Sequence, residues 1–186
     1  MNFNRHFNLE GLHAPFSASK PHWLRYDDDK AIETYINRKA KEMGSRYHAW
    51  AKETIDLGIK QPRSPKTLYA YVNDAIGFKM STEVVLYYSE NFFGTADAIS
   101  FKNNVLRIHD LKTGKEKASI EQLFVYVALF CLEYRVKPSE LKDIECRIYQ
   151  NDQVVVEHPT AEQIVPIMDQ IIKLDKLITQ FDYSEG

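Results

Sequence analysis

Asp97, Asp110 and Lys112 are the residues of this chain best placed by type and spacing to do chemistry. They lie in residues 94–126, GTADAISFKNNVLRIHDLKTGKEKASIEQLFVY, where two short apolar runs each carry one acid. Lys112 follows the second acid by two residues. Charged groups inside apolar strands are costly to bury unless they are paired or bound to a cation. Successive side chains of a strand point to opposite faces, so Asp110 and Lys112 share a face with Ile108. A hairpin turn at Lys102-Asn103-Asn104 brings Asp97 from the neighbouring strand close to Asp110. Two carboxylates at one place repel, and either a shared proton or a divalent cation relieves them. Magnesium suits oxygen ligands and keeps waters that can become nucleophiles, and a nearby lysine can orient such a water or offset charge on a phosphoryl group. Asp110 and Lys112 alone read equally well as a buried salt bridge. Asp97 adds a net negative charge that asks for a further cation.

His48 lies on a long helical run, with Gly44 one turn earlier on the same face. It reads either as a core histidine with a satisfied ring or as a ligand. Gln122 and Tyr126 are one helical turn apart and share a face. Inside so apolar a run both need hydrogen-bond partners, which are either backbone groups at a helix–sheet junction or the lysine and a bound phosphate. His109 points away from Asp110 to the other sheet face. The spacing of His6, His13, His22 and His158 gives no argument for ligation.

The elements that must position these groups follow from periodicity. Apolar residues recur at three- and four-residue steps over 31–56 (Ile32, Tyr35, Ile36, Ala40, Met43, Tyr47, Trp50), which predicts an amphipathic helix ended by Gly58. A basic loop with two prolines, KQPRSPK at 60–66, leads to a second helix over 66–76. Strands are predicted at 83–89, 94–101 and 105–112, then a buried helix over 119–134. Two more strands, 143–150 and 153–157, flank the turn signal Asn151-Asp152. A last helix covers 160–181, with Thr160 as its N-cap. Strands grouped between helices predict an α/β domain, a mixed sheet covered by helices.

At 186 residues, 44% hydrophobic and 27% charged, the chain has the composition of one ordinary globular domain. The formal net charge of −2 offers no general polyanion-binding surface, so a nucleic-acid partner must be held by local basic patches or by metal ions. Two cysteines, Cys131 and Cys146, cannot make a four-thiolate zinc or iron–sulfur site. Asn2 to His13 is mixed and polar, and no apolar run reaches the length of a bilayer span. The expectation is therefore a reduced, cytoplasmic protein with no membrane partner.

Four groups of residues, in order, resemble the PD-(D/E)XK nuclease superfamily in its RecB-like branch. They are GSRYH (Gly44 to His48), GTAD (Gly94 to Asp97), DLKTG (Asp110 to Gly114) and QLFVY (Gln122 to Tyr126). The resemblance implies a restriction-endonuclease-like core across a single domain: a helical part (1–80), a catalytic core (81–158) and a C-terminal helix (159–186). It implies Asp97 as bridging metal ligand, Asp110 as second acidic ligand, the Leu111 carbonyl and His48 as further ligands, and Lys112 as catalytic lysine. Gln122 and Tyr126 match the pair that supports the site and contacts DNA. Glu83 stands where many relatives carry a glutamate before the first core strand and ranks below the others. One or two Mg²⁺ or Mn²⁺ ions are the implied cofactors. The iron–sulfur cluster of several relatives is not expected, because its four cysteines are missing.

The function so implied is metal-dependent hydrolysis of DNA phosphodiesters, leaving 5′-phosphates. The chain carries no helicase segment, so a stand-alone exonuclease of phage or prophage type is expected, acting in DNA recombination, repair or replication. Its partners would be DNA and recombination or replication proteins. A structure-specific endonuclease for junctions or flaps is the second reading, and a catalytically silent DNA-binding module the third. DNA would approach along Lys20, Arg25, Arg38, Lys39 and Lys41, the 60–66 loop, and Lys115 and Lys117. Trp23 or Tyr88 would stack on an unpaired base.

Overall fold

The structure, a computed structural model, describes residues 14–114 and 116–185, so His6, His13 and Lys115 fall outside it. The chain divides after Ser45 into two compact units, and the first helix, α1 (Asp28–Asp56), crosses that boundary.

In the first unit a 3-10 turn (Pro21–Arg25) precedes α1. The Trp23 indole N–H donates to the Ser17 carbonyl at 2.9 Å, and its ring meets Phe16 edge-on. Helix α1 starts three residues before the periodicity does because Asp27 caps it, its Oδ1 accepting the Lys30 N–H at 2.8 Å. Asp28 and Asp29 in the first turn suit the positive end of the helix dipole. Ile32, Tyr35 and Ile36, on the face the periodicity assigns to a core, are exposed.

The second unit is built on a five-stranded mixed sheet in the order β1 (Ser81–Ser89), β2 (Phe92–Lys102), β3 (Val105–Lys112), β4 (Asp143–Gln150), β5 (Gln153–Glu157). Only β3 and β4 run parallel. A parallel pair needs a crossover, supplied by helix α3 (Glu121–Tyr134). Both tight hairpins turn on residues in the left-handed region, Asn103–Asn104 (φ 53 and 58) and Asn151–Asp152 (φ 50 and 58). That is the geometry a two-residue loop requires, and Asn and Asp tolerate it best after glycine. The predicted turns are therefore found where the sequence places them.

Two apolar layers enclose the sheet. On one face α3 and helix α4 (Ala161–Glu185) bury Leu123, Val127, Ile164 and Ile171 against Leu86, Ile108 and Ile148. On the other, the end of α1 and helix α2 (Thr67–Gly77) bury Ala51, Ile55, Tyr71 and Val72 against Ala98, Leu111 and Tyr149. Gln163 reaches back from α4 to the Thr160 N–H (3.0 Å), one half of a capping box. Among the described residues, no helix is long and apolar enough to cross a membrane.

One rung of the sheet breaks the alternation of faces. Thr82 Oγ1 donates to Asp56 of α1 at 2.6 Å, and its partner Ala98 belongs to the α1–α2 layer. Two residues on, Val84 and its partner Ala96 pack into the α3 layer instead. Regular strands would keep residues two apart on one face. The inversion falls on the intervening residues, Glu83 and Asp97, and Glu83 takes it up with φ +50. A left-handed glutamate within a strand is strained, and such strain persists only where its surroundings enforce it.

Candidate metal centre and the residues around it

β2 and β3 stay paired from Lys102↔Val105 to Ala98↔His109. One step further Asp97 would oppose Asp110, and there the ladder ends. The Leu111 N–H donates to Asp97 Oδ2 at 2.9 Å, so a side chain takes the bond at the point where the strands part. Asp110, facing α3, and Asp97, facing α1, thus meet at the opened end of the sheet. As expected, Ile108 continues the face of Asp110 and lies in the α3 layer.

Around Asp97 the inverted rung and α1 converge. His48 Nδ1 stands 3.5 Å from Asp97 Oδ2. His48, Glu83 and Asp97 each present a ligand atom within 4.8 Å of the others, a group that could hold a metal ion. Glu83 enters this group because its backbone is left-handed. Asp110, expected as the second acidic ligand, is not part of it; its carboxylate meets Lys112, whose Nζ lies 3.0 Å from Oδ2 and donates to Oδ1 at 3.1 Å.

Burial and the charge of Asp110 push the Asp97 carboxyl up to about 6, opposed by the Leu111 N–H and by His48. Asp110 Oδ2 is buried, and the Lys112 ammonium lies 3.0 Å from it. Two neighbouring carboxylates sharing one lysine, beside an imidazole and a third carboxylate, make an oxygen-and-nitrogen donor set that fits a hard divalent cation. Neither cysteine competes for that role, since burial raises Cys131 to about 11 and Cys146 to about 12.

Lys112 is held from a second side. Its Nζ donates to Gln122 Oε1 at 2.8 Å, and Gln122 Nε2 donates to Tyr126 Oη at 3.1 Å. Of the two readings of the Gln–Tyr pair, contact with the lysine is the one found. Tyr126 can lie over β2 only because residue 94 has no side chain: a Cβ there would sit 2.8 Å from the ring. Next to Lys112 opens a cleft of about 480 Å³, lined by Tyr47, Lys66, Thr67, Thr113 and Asn151 among others.

His109, one residue from Asp110, faces the α1–α2 layer and is fully buried. Its Nε2 lies 3.2 Å from Glu145 Oε1 and its Nδ1 3.2 Å from the Tyr149 hydroxyl, which donates to Asp74 at 2.7 Å. Arg147 Nε lies 2.9 Å from Glu145 Oε1, Arg147 Nη1 donates to Asp74 at 3.1 Å, and both Arg107 and Arg147 lie over the Phe78 ring. Glu145 is held down to about 2, first by His109 and then by Arg147, while burial lowers His109. The bland reading of His109 is the one found. Sequence reasoning missed the rest of this cluster, although Glu145 and Arg147 in an otherwise apolar strand were a signal.

The proposed stacking residues fare differently. Tyr88 is half-buried and packs against the α3 layer, because the inverted rung turns even-numbered residues of β1 inward beyond Glu83. Trp23, Lys20, Arg25, Arg38, Lys39 and Lys41 belong to the first unit, where Arg38 pairs with Glu42. No family model, curated protein or solved structure matches the chain.

Proposed function

We propose that this chain is a metal-dependent DNA nuclease with a restriction-endonuclease-like core, and specifically an exonuclease that leaves 5′-phosphates. The observation that carries the reading is Lys112, its ammonium shared between Asp110 and Gln122 beside the His48–Glu83–Asp97 group. Residues from α1, three strands and α3 come together there, and they include the functional positions of all four motifs.

Asp97, Glu83 and His48 would hold a Mg²⁺ or Mn²⁺ ion, with Asp110 and the Leu111 carbonyl completing its surroundings. Bound there, the ion supplies charge neutralisation for a phosphate and a more acidic water. Water attacks phosphorus, the bond to the 3′-oxygen breaks, and the products are a 5′-phosphate and a 3′-hydroxyl. Lys112 has three N–H donors, and Asp110 and Gln122 occupy two of them. The third is free for a phosphate oxygen or the attacking water. Lys112 would orient the water or offset charge on the phosphate. Tyr126 positions Gln122, and Gln122 positions the lysine.

A time course with end-labelled linear duplex, single strand and closed circle, each with Mg²⁺ and with Mn²⁺, tests the reading. Mononucleotide release from linear DNA with the circle intact is the expected result. Cutting of the closed circle would replace the exonuclease with an endonuclease. Binding without cleavage in either metal would leave only a DNA-binding module.

A further inference from the structure

The sheet has two edges, β1 and β5, and they are finished differently. A free edge offers its N–H and C=O groups to any strand that comes alongside, and folded proteins blunt it with bulges, lysine, proline or a cover. β1 carries such devices. Glu83 is left-handed, the register shifts between Tyr87 and Ser89, and the Glu133 carboxylate of α3 accepts the Tyr87 N–H at 2.8 Å. β5, QVVVE, has no lysine or proline, its one charge is at its end, and its pairing with β4 is regular from Gln150↔Gln153 to Cys146↔Glu157. Val154, Val155 and Val156 are 42, 42 and 40% exposed, so both faces of the strand present apolar surface to solvent. The two-residue turn at Asn151–Asp152 makes Gln150 and Gln153 exchange both backbone bonds, and the pattern alternates from there. The N–H and C=O groups of Val154 and Val156 therefore point away from β4, and no turn or loop among the described residues takes them up.

We propose that β5 is the contact between two copies of this chain, paired antiparallel about a two-fold axis at Val155, so that the two five-stranded sheets join edge to edge. The strand selects a second copy because it is complementary to itself in one register. Outward-pointing backbone must face outward-pointing backbone, which leaves registers centred on Val154, Val155 or Val156. Centred on Val155, Val154 exchanges both backbone bonds with Val156 of the second copy, and Val155 faces its own counterpart. Gln153 then faces Glu157, an amide against a carboxylate, and the flanking Asp152 comes level with His158. Centred on Val154, Asp152 would face Val156 and Gln153 would face Val155. Centred on Val156, Val155 would face Glu157. Directly opposed side chains interact most, and only the middle register sets no polar group against a valine. On the face of Val155 a cleft of about 520 Å³, with Ile120 and Ile148 in its lining, lies beside the strand and can take side chains of the second copy. The ladder is short, so the dimer should dissociate on dilution.

Sedimentation equilibrium of the full chain over a range of concentrations tests the pairing. Wild type should show a reversible dimer. Val155→Lys, which sets two ammonium groups face to face on the axis, should weaken it by about tenfold or more with an unchanged circular dichroism spectrum. Cysteines read the register. In a non-hydrogen-bonded antiparallel pair the Cα atoms are about 4.5 Å apart, so Val155→Cys should give a covalent dimer under mild oxidation. Val154→Cys should not, because its counterpart lies about 8 Å away or more, across the ladder and two residues along. Cys131 and Cys146 are buried and should not compete. A wild type that stays monomeric throughout, a dimer that Val155→Lys leaves intact, or equal cross-linking of the two cysteine variants would overturn the pairing. Should Val155→Lys fail to fold, the two cysteine variants still decide the matter. The dimer does not depend on the nuclease reading, and the presence or loss of cleavage leaves it untouched.

Discussion

Asp110-Leu111-Lys112 and Glu145-Cys146-Arg147 are the same pattern, an acid and a base two residues apart, on neighbouring parallel strands. The sheet turns them to opposite faces, and their surroundings differ in charge. Glu145 is flanked by His109, Arg107 and Arg147, and its carboxyl is held down to about 2. Asp110 has one cation and a second carboxylate for a neighbour, and that neighbour, Asp97, is pushed up to about 6. The first cluster has its counter-charges built in; the second lacks them and is open at the end of the sheet. The same acid–x–base pattern is thus compensated in one place and left short of positive charge in the other.

The contrast predicts that the same kind of substitution does different damage in the two places. Lys112→Ala should lower cleavage by about 10³-fold or more while circular dichroism and melting temperature stay near wild type. Full residual activity would show that the charge-poor cluster is not the site. Glu145→Ala should do the reverse, costing about 3 kcal/mol or more of stability in a denaturant titration by leaving His109 and two guanidinium groups without their shared partner. A loss under 1 kcal/mol would mean that this cluster is not a structural unit.

Acidity should separate the clusters without any mutation. The stability that protonated Asp97 confers is fully present below about pH 3.8 and is lost as pH rises through about 6. The contribution of Glu145 is present above about pH 4.5 and is lost as pH falls through about 2. Metal-free protein should thus lose about 1 kcal/mol between pH 5 and pH 7 from Asp97 alone. Asp97→Asn should flatten that slope, and saturating Mg²⁺ should reduce it. An identical slope in Asp97→Asn would remove the strained-carboxylate account. The smallest effect is expected from Gly94→Ala. Displacing the Tyr126 ring should cost about 1–2 kcal/mol of stability and lower cleavage through Gln122 and Lys112. An unchanged cleavage rate would show that the Tyr126–Gln122 chain does not position the lysine.

Much of this was legible in the sequence, for identifiable reasons. Asn103–Asn104 and Asn151–Asp152 are turns because few residues accept their backbone. Asp110, Lys112 and Ile108 share a face because a strand has period two. Glu83 could not be placed with the same rule, since nothing local marks a left-handed glutamate in a strand. The run Val84-Val85-Leu86-Tyr87-Tyr88 is apolar throughout and shows no alternation, so nothing in it told Tyr88, which packs inward, from Tyr87, which is exposed. His109 and Glu145 are 36 residues apart, and only the parallel register joins them.

The bond from the Leu111 amide to the Asp97 carboxylate gives the molecule an internal probe. Amides in the middle of a sheet are protected from hydrogen exchange by neighbouring backbone, and they report on opening of the whole ladder. The Leu111 amide is protected instead by a group that titrates and that faces the proposed cation. Its exchange rate should follow the occupancy of the site, while the amide of Ile108, three residues earlier on the same strand, follows the fold.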